Sequence, residues 1–160
     1  MSKRLVGSIA AGALALMLIG VVAAKRISPL TWGWYGNVQR SDGIAVRGYD
    51  AVAYFDGTPI EGSDKFTSQR DGATWRFATA AHKATFDANP DQFAPQFGGF
   101  CSYAASKGFT ATIDPTAFRV ENGKLYLFND AGMRDKWVAE LPAGVIDKTA
   151  KNWQKRLSAK

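Results

Sequence analysis

GATWRFATAAHKATFDANPDQFAPQFGGFCSYAASKG, residues Gly72 to Gly108, is the stretch whose reading decides the fold. It carries the only histidine of the chain, His82, and the only cysteine, Cys101. Thr74 to Ala78 alternates aromatic and polar residues, a strand pattern. Ala80 to Ala88 is built of helix formers, and Asn89-Pro90 stops it. A second, Ala-rich helix is predicted from Gly98 to Ser106, closed by Gly108.

Outward from this stretch, Asp71-Gly72 is a hairpin signal that pairs Lys65 to Arg70 with the Trp75 strand. Val52 to Phe55 reads as a strand led in by Gly48-Tyr49-Asp50, with Asp56-Gly57 as the turn that follows. Downstream, Asn122-Gly123 joins Phe118 to Val120 and Lys124 to Phe128 as another hairpin. Ala131 to Leu141 is predicted helical, broken by Pro142 and Gly144. The last helix runs from Val145 to Leu157, with Ile146, Ala150, Trp153 and Leu157 on one stripe. Hairpins separated by short packed helices predict an α+β domain with a small, mainly antiparallel sheet.

Ahead of the domain, Leu5 to Ala24 is an uncharged apolar run of about 20 residues, long enough to cross a bilayer core. Lys3 and Arg4 precede it and Lys25-Arg26 follow. Two readings compete. Val22-Ala23-Ala24 is similar to a signal-peptidase site, which would release a secreted protein. The length of the run and the basic pair after it favour an uncleaved anchor. Residues 1–26 are thus a membrane anchor or signal segment, 27–43 a linker, and 44–157 the domain. Trp32, Trp34 and Tyr35 in the linker suit either the headgroup zone or packing on the domain.

The net charge of +6 is unevenly distributed. Setting aside Lys3, Arg4, Lys25, Arg26 and Arg40 leaves 15 basic and 14 acidic side chains. Residues 41–147 hold 10 basic against 14 acidic, so a mildly acidic body lies between two basic ends. Basic residues interleaved with aromatics on one face, the mark of a nucleic-acid binder, are missing, and the basic ends suit an anionic lipid surface. A single cysteine allows no internal disulfide.

GYDAVAYF (Gly48–Phe55), the Gly72–Gly108 stretch and KLYLF (Lys124–Phe128) together resemble the YHS-domain family. The resemblance covers roughly residues 44–157, and Gly98-Gly99-Phe100-Cys101 is similar to its exported, membrane-anchored bacterial members. It implies a domain on the periplasmic side of the inner membrane. The family module also occurs beside metal-handling proteins, where cysteines serve as ligands. Residue by residue, His82 occupies a ligand position, Ala78 stands where a cysteine is lost, and the upstream Cys-x-x-Cys is absent. No stoichiometric zinc is therefore expected. Weak copper binding is the metal chemistry that His82 and Cys101 would support, with Met133, a carboxylate, water or a partner chain completing the shell. No other cofactor is indicated.

Cys101 follows a Gly-Gly turn at the start of a predicted helix, where a thiol can be acidified. It would then act as nucleophile, metal ligand or redox sensor. Its core-like neighbours Phe100, Tyr103, Ala104 and Ala105 favour a buried small hydrophobe. His82 reads as ligand, general base or, in preference, a hydrogen-bonded surface residue. A Cys101–His82 enzyme needs an orienting carboxylate, and Asp50, Asp87 and Asp114 are candidates without diagnostic spacing. Asp50 reads by preference as a turn residue. Tyr54 is either a pocket wall near Cys101 or a half-buried sheet-edge residue. No nucleophile elbow or phosphate loop is present. The resulting expectation is a non-catalytic module that binds a small ligand, a metal ion or a protein partner. Its ligand residues are Tyr54, Cys101 and Tyr103, and its metal residues His82 and Cys101. The alternative is a thiol-dependent enzyme or redox sensor.

Overall fold

Paired residues with positive φ organise the chain into hairpins. Asp71 (φ 53°) and Gly72 (φ 72°) form a two-residue turn of the kind whose twist matches the flanking strands. It joins β4 (Ser63–Arg70) to β5 (Ala73–Phe77), in a register that sets Arg70 against Ala73 and Ser68 against Trp75. Asn122 (φ 50°) and Gly123 (φ 69°) do the same between β7 (Asp114–Glu121) and β8 (Lys124–Phe128). A third such turn, Asp42-Gly43, links β2 (Arg40–Ser41) to β3 (Ile44–Ala45). The computed structural model describes residues 15–159.

The fold is α+β, as expected, but its strands are divided among three small sheets. The largest has the order β2-β3-β5-β4, with β3 and β5 parallel through Ile44 and Thr74. The β7–β8 hairpin is separate. β1 (Ser28–Pro29) pairs with β6 (Phe109–Thr110). Helices α1 (Ala80–Ala88), α2 (Pro90–Phe93), α3 (Ser102–Ser106), α4 (Ala131–Ala139) and α5 (Val145–Ser158) pack around these sheets.

The core follows from the strand alternation. Ala73, Trp75 and Phe77 of β5 point inward, and Phe86 is the buried residue of α1. The Phe86 ring lies 5.0 Å from both Trp75 and Phe77. Leu125 to Phe128 of β8 are buried on both faces. There Trp137 of α4 sits 4.7 Å from Tyr126 and 5.4 Å from Phe128.

Several expectations are corrected. Residues 27–43 are not a linker. They supply β1 and β2 and bury Leu30 and Gln39. Residues 53–56 form a single 3-10 turn, not a strand, because the Asp50 carboxylate takes the N–H groups of Val52 and Ala53 that a ladder would use. The helix expected from Gly98 starts later, at Ser102, since Gly98 and Gly99 hold φ values of 62° and 75°. Gly98 has no room for a side chain: a Cβ there would stand 1.9 Å from the Asn37 carbonyl oxygen.

The buried side of α5 is also rotated from the apolar stripe. Val145, Thr149 and Arg156 are buried, while Ala150 and Leu157 are exposed. Polar partners explain the rotation. Arg156 donates through Nη1 to Leu30 O (2.6 Å) and through Nη2 to Gly36 O, and its guanidinium lies 5.3 Å from the Phe100 ring. Asn152 Nδ2 donates to Ala105 O and Ser106 O, both at 3.1 Å.

Residues 15–24 are helical, with Leu16, Met17, Leu18, Ile19, Val21 and Val22 exposed. Lys3, Arg4 and the first half of the apolar run lie outside the described residues. Among the described residues no helix is long and apolar enough to cross a membrane.

The aromatic cluster gives a first prediction. Phe86→Ala and Trp75→Ala each lower unfolding free energy by about 3–5 kcal/mol, the cost of emptying a large aromatic site. Urea denaturation measures this. A loss below about 1 kcal/mol would mean that the cluster does not hold α1 to the sheet.

Candidate functional site

The two chemically distinctive residues fall into different surroundings. Thr79 caps α1, its Oγ1 accepting from the His82 backbone N–H at 3.1 Å. That cap places the imidazole of His82 on the first turn, one quarter exposed. Its Nδ1 donates to Asp50 Oδ2 at 2.7 Å. The other ring nitrogen, Nε2, is left for outside partners.

Asp50 is fully buried and accepts three further hydrogen bonds. Val52 N–H (2.9 Å) and Ala53 N–H (3.3 Å) donate to Oδ1, and Ala78 N–H (2.8 Å) donates to Oδ2. The side chain therefore ties the Gly48–Asp56 segment to the end of β5 and the start of α1. It is far more than a turn residue. A buried carboxylate is tolerable when donors fill its lone pairs, and four N–H groups do so here. Of the three candidate orienting carboxylates, Asp50 is the one that the fold sets against His82. Their separation of 32 residues matches no recognised motif, so the sequence names Asp50 as a candidate and the fold selects it.

Cys101 stands immediately before α3 and is 1% exposed. Its N–H donates to Ala111 O, and its carbonyl accepts from Ala105 N–H. Burial pushes the thiol above its ordinary value of 9.0, outweighing backbone hydrogen bonding at Ala104, Asn129 and Tyr103. The expected acidification by a helix N-terminus is therefore overturned: α3 is a short five-residue helix, and desolvation of the thiolate dominates.

Cys101 lines a cavity of about 230 Å³ together with Tyr103, Ala104, Phe109, Ala111 and Met133. Lys25, Ile27, Lys107, Thr110 and Asn129 complete the wall. Tyr103 is thus where the sequence placed it, beside Cys101. Tyr54 is not. Its hydroxyl donates to Pro115 O at 2.8 Å, and its ring packs edge-on to Phe118 at 5.0 Å. It is fully buried, and burial pushes its hydroxyl far above the ordinary tyrosine range. Tyr54 is a core residue, neither a pocket wall nor a half-buried edge residue.

His82 is not part of the cavity wall and makes no hydrogen bond with Cys101. Among the described residues no group of three or more His, Cys, Asp or Glu side chains is placed to hold a metal. Cys101 does share its cavity with the thioether of Met133, a soft donor pair too small for a tetrahedral zinc site. A second, open cleft of about 950 Å³ lies between residues 31–40 and α5, with Trp32, Arg40, Arg70 and Trp153 among its lining. Arg70 is engaged there by Asp71 and Asp91.

The cavity wall includes residues that the sequence reading did not assign to a site: Lys25, Phe109 and Asn129. Lys25 directly follows the apolar run, which is the one signal that could have drawn attention to it. Comparison with protein-family models, curated proteins and solved structures finds no match to this chain.

Two predictions follow from this geometry. Asp50→Asn costs about 3–5 kcal/mol, because an amide cannot accept from all four donors. His82→Ala costs less, about 1.5–3 kcal/mol, since it removes one donor to a charged group. Chemical denaturation ranks the two variants. An equal or reversed order would mean that Asp50 is not the hub.

The second concerns pH. The thiol pKa of Cys101 is raised in the folded state, so its contribution to stability is intact below about pH 9 and is lost as pH climbs through the folded value. Between about pH 8 and about pH 10 the parent loses more melting temperature than Cys101→Ala. Parallel curves for the two proteins would contradict the buried, protonated thiol.

Proposed function

We propose that this protein is a membrane-anchored YHS-like domain facing the periplasm, and that it is a non-catalytic module binding a small apolar ligand in the Cys101 cavity. The observation that carries this reading is the cavity itself. Its walls are mostly carbon, with Tyr103, Phe109, Ala111 and Met133 around the thiol, and few polar atoms reach it. Concave apolar sites with a small number of polar groups are the usual form of a ligand pocket. At about 230 Å³ it lies below the roughly 300–1,000 Å³ of drug-sized sites, which points to a small or slender molecule.

The chemistry of the residues supports binding over catalysis. A thiol pushed upward by burial is a poor nucleophile near neutrality. The imidazole that would activate it makes no hydrogen bond with the thiol and is not part of the cavity wall. The exposed apolar residues of helix 15–24 and the basic Lys25-Arg26 pair support attachment to a membrane. The resemblance of Gly48–Phe55, Gly72–Gly108 and Lys124–Phe128 supports the YHS assignment.

Indole, a small neutral probe, tests the reading. With the full chain in phospholipid nanodiscs and methionine methyl groups labelled, indole shifts the Met133 methyl resonance saturably. Ala111→Leu, which fills the cavity, removes that shift. An unmoved Met133 signal, or a shift unaffected by a folded Ala111→Leu protein, would sink the proposal.

A further inference from the structure

The cavity lies at the foot of the apolar leader helix. Lys25 ends that helix, its N–H donating to Val21 O at 3.0 Å, and the same residue forms part of the cavity wall. Its carbonyl accepts from Thr112 N–H at 2.9 Å, which fixes the junction to the domain. Phe109, another wall residue, is 44% exposed. An apolar surface that suits lipid and a half-open apolar cavity thus adjoin at one residue.

The charges at this junction are not equivalent. Lys107 Nζ is met by both oxygens of the Glu140 carboxylate, at 2.7 and 2.9 Å. Lys25 Nζ donates to the neutral Asn129 Oδ1 at 2.9 Å and, among the described residues, meets no carboxylate. An ammonium keeps further donors when one is used. Among the described residues, the rim of this apolar cavity therefore carries one cation, Lys25, that no carboxylate meets.

We infer that the cavity takes the hydrocarbon end of a single-chain amphiphile with an anionic carboxylate head, a fatty-acid-class molecule reaching it from the bilayer, and that Lys25 holds the head. The inference rests on the reading of this cavity as a ligand site. Its volume suits one slender chain and not the paired chains of a phospholipid. A carboxylate completes what the rim offers, because charge-assisted hydrogen bonds are the strong ones and Lys25 supplies the positive partner.

Decanoate, decanol and decyltrimethylammonium separate the parts of this claim. They share a chain and differ in head charge. Each is titrated into the full chain in zwitterionic nanodiscs, with the Met133 methyl signal as readout and indole as the reference ligand. Decanoate shifts Met133, competes with indole, and binds about tenfold or more tightly than decyltrimethylammonium, the ratio expected of one charge-assisted contact. Lys25→Gln reduces the decanoate-to-decanol affinity ratio by a similar factor, whereas Lys65→Gln, at an exposed position of β4 outside the cavity wall, leaves that ratio within about twofold. Equal binding of the anionic and cationic probes, or an unchanged ratio in Lys25→Gln, would overturn the assignment of the head group. If indole moves Met133 and neither decanoate nor decanol does, the amphiphile is wrong while the ligand site stands. If no probe moves it, the ligand site falls as well.

Discussion

A carboxylate sealed from water and filled by four N–H donors is the constraint on which this domain depends. Asp50 accepts from Val52, Ala53, Ala78 and His82, so it bends its own segment into a 3-10 turn and pins that turn to the junction of β5 and α1. Burying a carboxylate costs several kcal/mol unless its lone pairs are answered, and any displacement of β5 or α1 would leave one unanswered. The aromatic cluster of Trp75, Phe77 and Phe86 is assembled by the same two elements. Nonspecific apolar burial and one directional polar hub therefore act on the same joint: the first supplies most of the stabilisation, the second the geometry.

A second clamp closes the chain from its ends. Arg156 of α5 reaches back to the carbonyls of Leu30 and Gly36, and Gln39 N–H donates to Gly98 O at 2.7 Å across a glycine that admits no Cβ. The segment after the leader is therefore sewn between the last helix and the turn before Cys101. With β1 paired to β6, this holds Lys25 and Ile27 against Phe109, Thr110 and Ala111 and so completes the cavity wall. Neither end of the described chain is incidental to the site.

The sequence made legible what local chemistry decides. Asp71-Gly72 and Asn122-Gly123 specify their hairpins because two successive residues must hold positive φ. Asn89-Pro90 ends α1 for a reason confined to two residues. Tyr103 was placed beside Cys101 because the two are near in sequence. What stayed hidden depends on partners distant along the chain. Asp50 and His82 are 32 residues apart, and Arg156 is 126 residues from the carbonyl it caps. The apolar stripe of α5 guided only in part: Ile146 and Trp153 pack against the core, while the hydrogen bonds of Asn152 and Arg156 leave Ala150 and Leu157 exposed. Tyr54 looked like a pocket residue, yet its hydroxyl answers a core carbonyl. In each case a polar group found a remote partner, and alternation or helical periodicity does not register such pairings.

The junction at Lys25 has a mechanical meaning. Helix 15–24 passes into β1 through backbone bonds from Arg26 N–H to Ala23 O and Ile27 N–H to Val22 O, while Thr112 grips the Lys25 carbonyl. The end of the helix and the domain are therefore hydrogen-bonded to each other at the residue that also begins the cavity wall. A molecule held on the exposed apolar face of the helix would reach the mouth by a search along one surface and not through bulk water.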